Sequence, residues 1–317
     1  MGRFAPPRKR LLPRRREGAV AKALAAAGAS GEAQAMITRR QAVLRALAPA
    51  LLATPLGRAA AAAAYDPRLV ALVAGPQRSA ANRARDPWRH PLPSLAFWGL
   101  RPGMVVADID PGGGYWTEIV APYLARTGGR YIAGMADPAA SQAAARAHAA
   151  FAARYADRSV YGTIGYAPFG AAVGFVAPAA SIDLILYCRY VHDLMWTPGA
   201  LQRALGGFHA ALKGGGILAV EEHRADPRPM IDDAHDGYVS TAFVIDQARK
   251  AGFAFEASSE INANPKDTKN YPFGVWTLPP TRRSSPFGQP PNPAFDHAKY
   301  DAIGESDRMT LRFSKPA

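Results

Sequence analysis

The sequence predicts an α/β protein in which a mostly parallel sheet is covered by helices on both faces. Two observations carry this prediction. From Val105 onward, short apolar runs alternate with longer alanine-rich helical stretches, which is the pattern of repeated βα units. A glycine-rich turn at residues 108–114 follows the first apolar run and leads directly into a helical stretch.

The short apolar runs define seven strands, at residues 105–109, 131–135, 159–162, 182–187, 216–221, 253–258 and 309–313. The alanine-rich stretches define helices at residues 116–125, 139–155, 198–212 and 241–251. Residues 65–104 have helical character with polar interruptions, and we expect them to cover the edge of a domain formed by residues 105–317.

Residues 36–64 have the order of an export signal. Arg39 and Arg40 follow Thr38, an uncharged stretch covers 46–56, and small residues fill 59–64. The apolar run is too short to cross a bilayer of ~30 Å, so no stable membrane anchor is expected. The segment resembles a twin-arginine signal and predicts export of the folded protein by the twin-arginine machinery, to the periplasm or the outside. An arginine-rich tail or an organellar transit peptide is the alternative.

Residues 1–35 are basic, have no apolar periodicity and precede a complete leader. We therefore expect a disordered extension there, with translation starting at Met36.

The net charge of +13 is concentrated in the first 64 residues, which hold 12 of the 38 basic and 2 of the 25 acidic residues. The remainder has a net charge of only +3. Nucleic-acid binding needs clustered Lys and Arg, so no nucleic-acid partner is expected. The single cysteine, Cys188, lies in an apolar run and is predicted to be a buried strand thiol.

The turn at 108–114 reads Asp-Ile-Asp-Pro-Gly-Gly-Gly. Glycines let the backbone approach a ligand closely, and the start of the next helix presents free N–H groups. The turn alone also fits an NAD-binding domain or a plain helix-capping loop. Three features are more specific: Asp108 directly before the turn, the Lys-Gly-Gly-Gly stretch at 213–216 that leads into a later strand, and a closing strand placed after the sixth.

Together these features resemble the class I S-adenosylmethionine-dependent methyltransferases. The chain is further similar, from residue 86 to 316, to a family of bacterial exported predicted methyltransferases. The similarity lies in residues 101–104, 110–117, 189–193, 222–225, 259–268 and 304–310. The resemblance implies a Rossmann-like three-layer sandwich with an antiparallel last strand, and S-adenosylmethionine as cofactor. It places the cofactor on Asp108, Asp110, Gly112, Gly113, Gly114, Tyr115, Asp137 and Arg189.

This sequence departs from the family pattern at three places. Asp110 occupies the first glycine position of the turn, and Met135 stands where an acid usually binds the ribose hydroxyls, with Asp137 two residues later. No Asp, Glu, Asn or Gln occurs from residue 158 to 182 to bind the adenine amine. Backbone carbonyls would have to bind the adenine amine in place of such a side chain.

The candidate catalytic residues follow the fourth and fifth predicted strands, where open α/β sheets hold their ligands. His192 is predicted to take a proton from the acceptor, with Asp193 orienting it or capping the next helix, and His223 is predicted to line the acceptor pocket. The alternative is a half-buried structural histidine bonded to the backbone.

No metal site is assigned. The acidic cluster Asp232, Asp233, His235 and Asp236 offers ligands for a hard cation, but its spacing equally describes a solvated loop. Glu221 and Glu222 are adjacent in a strand, so they should point to opposite faces. The long segment 260–307 is interpreted as an ordered flap or a substrate lid, and Asp307 and Arg308 as an ion pair.

The sequence thus predicts an exported enzyme that transfers methyl groups to a small-molecule or protein nucleophile. A non-catalytic periplasmic binding protein with the same fold is the alternative, and a nicotinamide-dependent oxidoreductase is a third, less favoured reading.

Overall fold

The computed structural model describes residues 65–228, 230 and 234–317, all of which lie in one compact unit. The predicted basic extension and export signal, at 1–64, and the acidic residues Asp232 and Asp233 fall outside the described residues. Within the described ranges, no helix combines the length and the apolar character needed to cross a membrane.

Eight strands form one sheet: β1 (Val105–Ile109), β2 (Arg130–Met135), β3 (Gly165–Gly170), β4 (Gly174–Phe175), β5 (Ile182–Cys188), β6 (Leu212–His223), β7 (Ala254–Ser259) and β8 (Arg308–Ser314). The spatial order is β4-β3-β2-β1-β5-β6-β8-β7. The neighbouring pairs β3–β2, β2–β1, β1–β5 and β5–β6 are parallel, whereas β8 runs antiparallel to both β6 and β7. The predicted mostly parallel sheet with an antiparallel last strand is confirmed.

The described helices are α1 (Pro67–Val73), α2 (Ala80–Arg83), α3 (Asp86–Arg89), α4 (Pro91–Phe97), α5 (Thr117–Thr127), α6 (Gln142–Arg154), α7 (Arg158–Tyr161), α8 (Val191–Met195), α9 (Ala200–Ala211), α10 (Thr241–Lys250) and α11 (Ala298–Asp301), with a 3₁₀ turn at Gly274–Thr277. Helices α5, α6, α9 and α10 agree with the predicted positions to within about three residues.

The prediction of seven strands with one at 159–162 was wrong. The Asp157 side chain accepts a hydrogen bond from Ser159 N over 2.9 Å and starts the short helix α7, which Gly162 ends with a φ of 67°. The strand begins three residues later as β3, and β4 then turns back antiparallel at the sheet edge. The eighth strand is this short β4.

Alternating strand residues supply a separate core on each face of the sheet. On one face, Ala107 and Ile185 pack with α9 and α10. On the other face, Val106 and Leu184 pack with α5 and with the apolar residues of α1 and α4. This division confirms the three-layer α/β sandwich and shows that the N-terminal helices cover one face of the sheet.

Candidate functional site

The strand order reverses between β1 and β5, which lie side by side although three strands, β2 to β4, come between them in sequence. Ligands of open α/β sheets bind outside the carboxyl ends of the strands at such a switch point. Here β1 leads into the glycine-rich turn and Arg189 directly follows β5, so both predicted segments lie at the edge where the fold creates a crevice.

The glycine-rich turn leaves part of its backbone open. Gly112 and Gly113 are exposed, and a side chain at Gly113 would meet no atom within 4 Å. Gly112 has a φ of 51°, and Asp110, at the first glycine position, has a φ of 47°, so a non-glycine residue adopts the left-handed conformation there. Gly114 is different, because a side chain would overlap the Tyr155 hydroxyl. Gly114 therefore allows packing, while Gly112 and Gly113 leave room for a ligand.

Asp108 lies beneath the turn and is 2% exposed. Its Oδ2 accepts a hydrogen bond from the Tyr131 hydroxyl over 2.8 Å, and that hydroxyl lies 2.8 Å from Thr117 Oγ1 on α5. Burial raises the pKa of Asp108 to about 7 despite the tyrosine hydrogen bond. Asp108 therefore supports the turn through Tyr131 and α5.

Asp137 is exposed, and its carboxylate accepts a hydrogen bond from Ala139 N over 2.8 Å. It borders a cavity of about 240 Å³ at the carboxyl ends of β2 and β3, whose wall includes Met135, His148 and Tyr166. This cavity is mainly apolar, and it lies where the resemblance places the nucleoside part of the cofactor.

The three predicted catalytic residues meet in a second cavity, of about 130 Å³, on the other side of the switch point. Its wall includes Arg189, His192, Asp193, His223, Trp276 and Ser306. These residues come from the ends of β5 and β6, from α8 and from the segment before β8, so four separate parts of the chain form one pocket.

His192 is 3% exposed and is held by Glu222, a residue that the sequence did not place in the site. His192 Nδ1 lies 3.0 Å from Glu222 Oε1, while Nε2 lies 3.5 Å from Asp193. Burial lowers the pKa of His192, but the Glu222 carboxylate outweighs it and raises the pKa above its usual value. His192 is therefore kept protonated to a higher pH than a free histidine.

His223 has the opposite character. Its Nδ1 lies 2.5 Å from Ser306 Oγ, and its ring stands 5.3 Å from that of His192. Burial, together with the charges of His192 and of nearby arginines, lowers the pKa of His223 well below its usual value. Two neighbouring imidazoles are thus tuned in opposite directions, which is how proteins divide acid and base roles.

Among the described residues, one group has the composition of a metal site: His192, Glu222 and His223. However, the Glu222 carboxylate already accepts hydrogen bonds from Val191 N and His223 N, over 2.7 and 2.8 Å, besides its contact with His192. A carboxylate whose oxygens already accept several hydrogen bonds is a poor cation ligand, so this group serves as a hydrogen-bond network.

A buried ion-pair cluster lies next to the histidines. Glu305 accepts from Arg85, Arg89 and Arg308, and Glu221 accepts from Arg308 over 2.9 Å. Glu221 therefore faces the arginines while Glu222 faces His192, which confirms that the adjacent glutamates point to opposite faces. The predicted Asp307–Arg308 ion pair was wrong, because Asp307 pairs with Arg224 across the end of β6.

Tyr115 and Cys188 are buried, and neither is free for chemistry. The Tyr115 hydroxyl donates to Asp86 over 2.7 Å, and its ring packs against Arg89. Burial raises the pKa of the Cys188 thiol well above its usual value, as expected for an inert strand residue. Asp236, one of the acidic residues considered as metal ligands, forms an ion pair with Arg228.

No family model matches this chain, and no curated protein matches it. Several solved structures show a limited similarity to this chain. The cyclase SpnF is 18% identical, with a TM-score of 0.45 over 79% of this chain and 92% of that one. An S-adenosylmethionine-dependent methyltransferase from Aquifex aeolicus is 18% identical, with a TM-score of 0.40 over 62% and 94%. A 1,6-didemethyltoxoflavin-N1-methyltransferase from Burkholderia thailandensis is 15% identical, with a TM-score of 0.40 over 93% and 94%.

Proposed function

We propose that this protein transfers a methyl group from S-adenosylmethionine to an acceptor, a small molecule or a protein side chain, in the cavity beside His192 and His223. One observation carries the proposal. An open glycine turn on β1 and a histidine-lined cavity at the ends of β5 and β6 flank the same switch point of the sheet.

The residues at this edge fit the cofactor. The exposed backbone of Gly112 and Gly113 can be approached closely, and the apolar cavity beside Met135 suits a nucleoside base. The Arg189 side chain has a buried Nε without a partner, which suits an anionic group. When bound, S-adenosylmethionine supplies a methyl group on a cationic sulfur.

His223 is the residue best suited to take the acceptor's proton, rather than His192 as the sequence suggested. In the tautomer in which Nδ1 donates to Ser306 Oγ, Nε2 of His223 carries a free lone pair. Its lowered pKa keeps this ring neutral at physiological pH, whereas Glu222 favours the charged form of His192. The Trp276 ring and the neighbouring Pro279 and Pro280 line one side of the pocket.

The test is the formation of S-adenosylhomocysteine from S-adenosylmethionine by the purified chain, with a panel of phenols, amines and thiols as acceptors. For an active acceptor, His223→Gln should lower kcat by about 10²–10⁴-fold, because that is the usual contribution of a positioned base. Binding of S-adenosylhomocysteine should stay unchanged. His209→Gln is the matched control, since His209 lies at the opposite end of the strands and packs on Phe253. Full activity in His223→Gln would remove the base role.

A second function, ligand binding without transfer, is favoured by one observation. The carboxylate expected to bind the ribose is displaced to Asp137, where it already accepts the hydrogen bond of Ala139 N. Binding of the cofactor with no product from any acceptor, in wild type as in His223→Gln, would support this alternative.

We also propose that residues 36–64 direct export by the twin-arginine route, on the basis of Arg39 and Arg40 and the uncharged stretch that follows. Mass spectrometry of exported protein should find an N-terminus near Tyr65. Replacement of both arginines by lysine should stop export, and unchanged export of that variant would contradict the twin-arginine route.

A further inference from the structure

We propose that the acceptor bound in the histidine cavity is a phenol, whose single aromatic ring packs against Trp276 and whose hydroxyl meets His223. This choice of acceptor rests on the proposed function. Three features of the cavity point to a phenol: its size, its aromatic wall and the polar groups that complete the wall.

The cavity has room for one ring, since its volume is about 130 Å³. A protein cavity of about 150 Å³ is enough to bind benzene. A larger acceptor could therefore place only one of its rings inside. The group that receives the methyl must be carried by a one-ring molecule or by a one-ring part of a larger one.

Trp276 forms the aromatic part of the wall, next to Pro279 and Pro280. The indole is half-buried, and its ring centre lies 5.8 Å from that of His192 and 5.9 Å from that of Trp196. Aromatic rings pack on one another in offset or edge-to-face geometry, with a gain beyond the burial of apolar area. An aromatic ligand would use this wall better than an aliphatic one.

The surroundings of Trp276 are also aromatic. The Arg283 guanidinium lies 5.2 Å from the centre of the Trp276 ring and 5.0 Å from that of Phe287, which is 84% exposed. Trp196 is 44% exposed, so two of the three exposed aromatic side chains in the described part of the chain adjoin Trp276, Phe287 doing so through Arg283. Apolar side chains exposed together beside a cavity are typical of a ligand-binding surface.

The rest of the wall is polar. It includes His223, and Arg189, whose Nε is buried without a partner. The His223 ring stands 5.3 Å from that of His192, which the Trp276 ring also approaches, so one indole and two imidazoles surround the same small space. A ring packed on Trp276 can therefore present a substituent to His223.

The polar groups favour a phenol over other nucleophiles. The lowered pKa of His223 makes it a weak base, which needs an acidic partner. A phenol has a pKa of about 10, far below that of an aliphatic alcohol. The charges of Arg189 and of protonated His192 stabilise a developing phenolate and disfavour a cationic amine, and Asp193 lies 3.5 Å from Nε2 of His192, next to a cation. An aliphatic thiol would leave the aromatic wall unused.

In the transfer, the phenol oxygen forms a bond to the methyl carbon while the carbon–sulfur bond breaks and its electron pair goes to the sulfur. Nε2 of His223 takes the phenolic proton. The products are a methyl ether, S-adenosylhomocysteine and a protonated His223, which then gives its proton to water.

The experiment compares wild type with Trp276→Leu, Trp276→Phe and Phe255→Leu. Phe255 provides the matched control, because it is also half-buried beneath an arginine, Arg249 at 5.8 Å, but lies at the opposite end of the strands. Each full-length protein is titrated calorimetrically with 4-methylphenol and with its saturated analogue 4-methylcyclohexanol, alone and with saturating S-adenosylhomocysteine. Thermal unfolding checks that each variant is folded.

Wild type should bind 4-methylphenol about 3–10-fold more tightly than 4-methylcyclohexanol, as expected for one aromatic contact. Trp276→Leu should abolish this preference, Trp276→Phe should keep part of it, and Phe255→Leu should keep it in full. Equal affinities of wild type for the two compounds would overturn the phenol site, even if Trp276→Leu does not fold. A preference that survives in folded Trp276→Leu would overturn it as well.

Transfer assays separate the phenol site from the proposed function. Formation of S-adenosylhomocysteine with 4-methylphenol in preference to benzylamine would support both, and the reverse preference would overturn the phenol acceptor while methyl transfer stands. Binding of 4-methylphenol that depends on Trp276, without product from any acceptor, would reject methyl transfer and support the phenol site. A tyrosine tripeptide that binds as tightly as 4-methylphenol would assign the phenol to a protein side chain, and weaker binding would assign it to a small molecule.

Discussion

The candidate site has two halves, the glycine turn at the end of β1 and the histidine cavity next to β8. Each half buries a carboxyl group to a similar extent, but the pKa values of the two groups shift in opposite directions. On the β1 side, Asp108 is 2% exposed and has a tyrosine hydroxyl as its hydrogen-bond partner, and burial raises its pKa to about 7. On the β8 side, Glu305 is 3% exposed. Burial alone would raise the pKa of Glu305, but Arg89, Arg308 and Arg85 lower it well below its usual value.

The difference shows that similar burial gives opposite charge states when the partners differ. Near neutral pH, Asp108 in the glycine-turn half takes up a proton easily, while Glu305 in the histidine half stays charged. What the glycine-turn half offers the proposed cofactor, whose sulfur is cationic, is its open backbone rather than a charge. The charged groups of the histidine half suit an acceptor that must lose a proton.

The largest expected effect concerns the glycine-turn half. The folded-state pKa of Asp108, about 7, lies above the ordinary value of 3.8, so the folded protein binds this proton more tightly. The resulting stabilisation is complete below about pH 4 and is lost as the pH rises through about 7, a change of about 4 kcal/mol. Urea unfolding of Asp108→Asn should lack this component of the pH dependence, and the exposed control Asp246→Asn should keep it. Identical pH profiles for wild type and Asp108→Asn would contradict the raised pKa of Asp108.

The next effect separates two adjacent glycines of the turn. Gly114→Ala should lower the free energy of unfolding by about 3 kcal/mol, because the new methyl group meets the Tyr155 hydroxyl at a φ of 74°. Gly113→Ala should change stability by less than about 0.5 kcal/mol, since nothing lies within 4 Å, but should weaken cofactor binding. Adding Tyr155→Phe to Gly114→Ala should restore part of the stability. Equal stability of the two single variants would show that the packing is not as described.

In the histidine half, Glu222→Gln should lower the free energy of unfolding by about 2 kcal/mol, because an amide cannot accept all the donors that the carboxylate satisfies. The raised pKa of His192 contributes stability below its unfolded value that is lost as the pH rises through the folded value. In Glu222→Gln the pKa of His192 should fall, as NMR titration of the imidazole would show. An unchanged pKa would mean that another group holds the proton.

The smallest effect concerns Asp110. Replacement by glycine removes the left-handed strain at a φ of 47° and should raise the free energy of unfolding by about 0.5 kcal/mol. It also restores the glycine pattern of the methyltransferases that the turn resembles, so we expect tighter binding of S-adenosylhomocysteine, measured by calorimetry. A loss of both stability and affinity would indicate that the Asp110 carboxylate makes a contact that the fold needs.

Local patterns predicted most of the sheet, because strands such as β1 and β5 are apolar runs bounded by clear turn residues. They failed at 159–162, where the sequence Asp157-Arg-Ser159 caps a helix, and β3 begins at a glycine with weak strand character. Helix caps are short-range signals, and here the cap outweighed the apolar pattern.

The candidate site was predicted only where its residues follow strand ends. His192, His223 and Arg189 were found by that rule. Arg89, Glu305 and Ser306 were not, because Arg89 and Glu305 are 216 positions apart and meet only through the fold. The adjacent acids Glu221 and Glu222 were a usable signal, since two carboxylates at the end of a buried strand each need a cationic or N–H partner.

Cofactor binding at the glycine turn is tested most directly by calorimetric titration of the full chain, freed of any carried-over ligand, with S-adenosylmethionine and S-adenosylhomocysteine. We expect saturable binding at one site, lost in Gly112→Val, where a side chain fills the open turn, and retained in His223→Gln. Absence of heat and of any thermal shift with both ligands would contradict it.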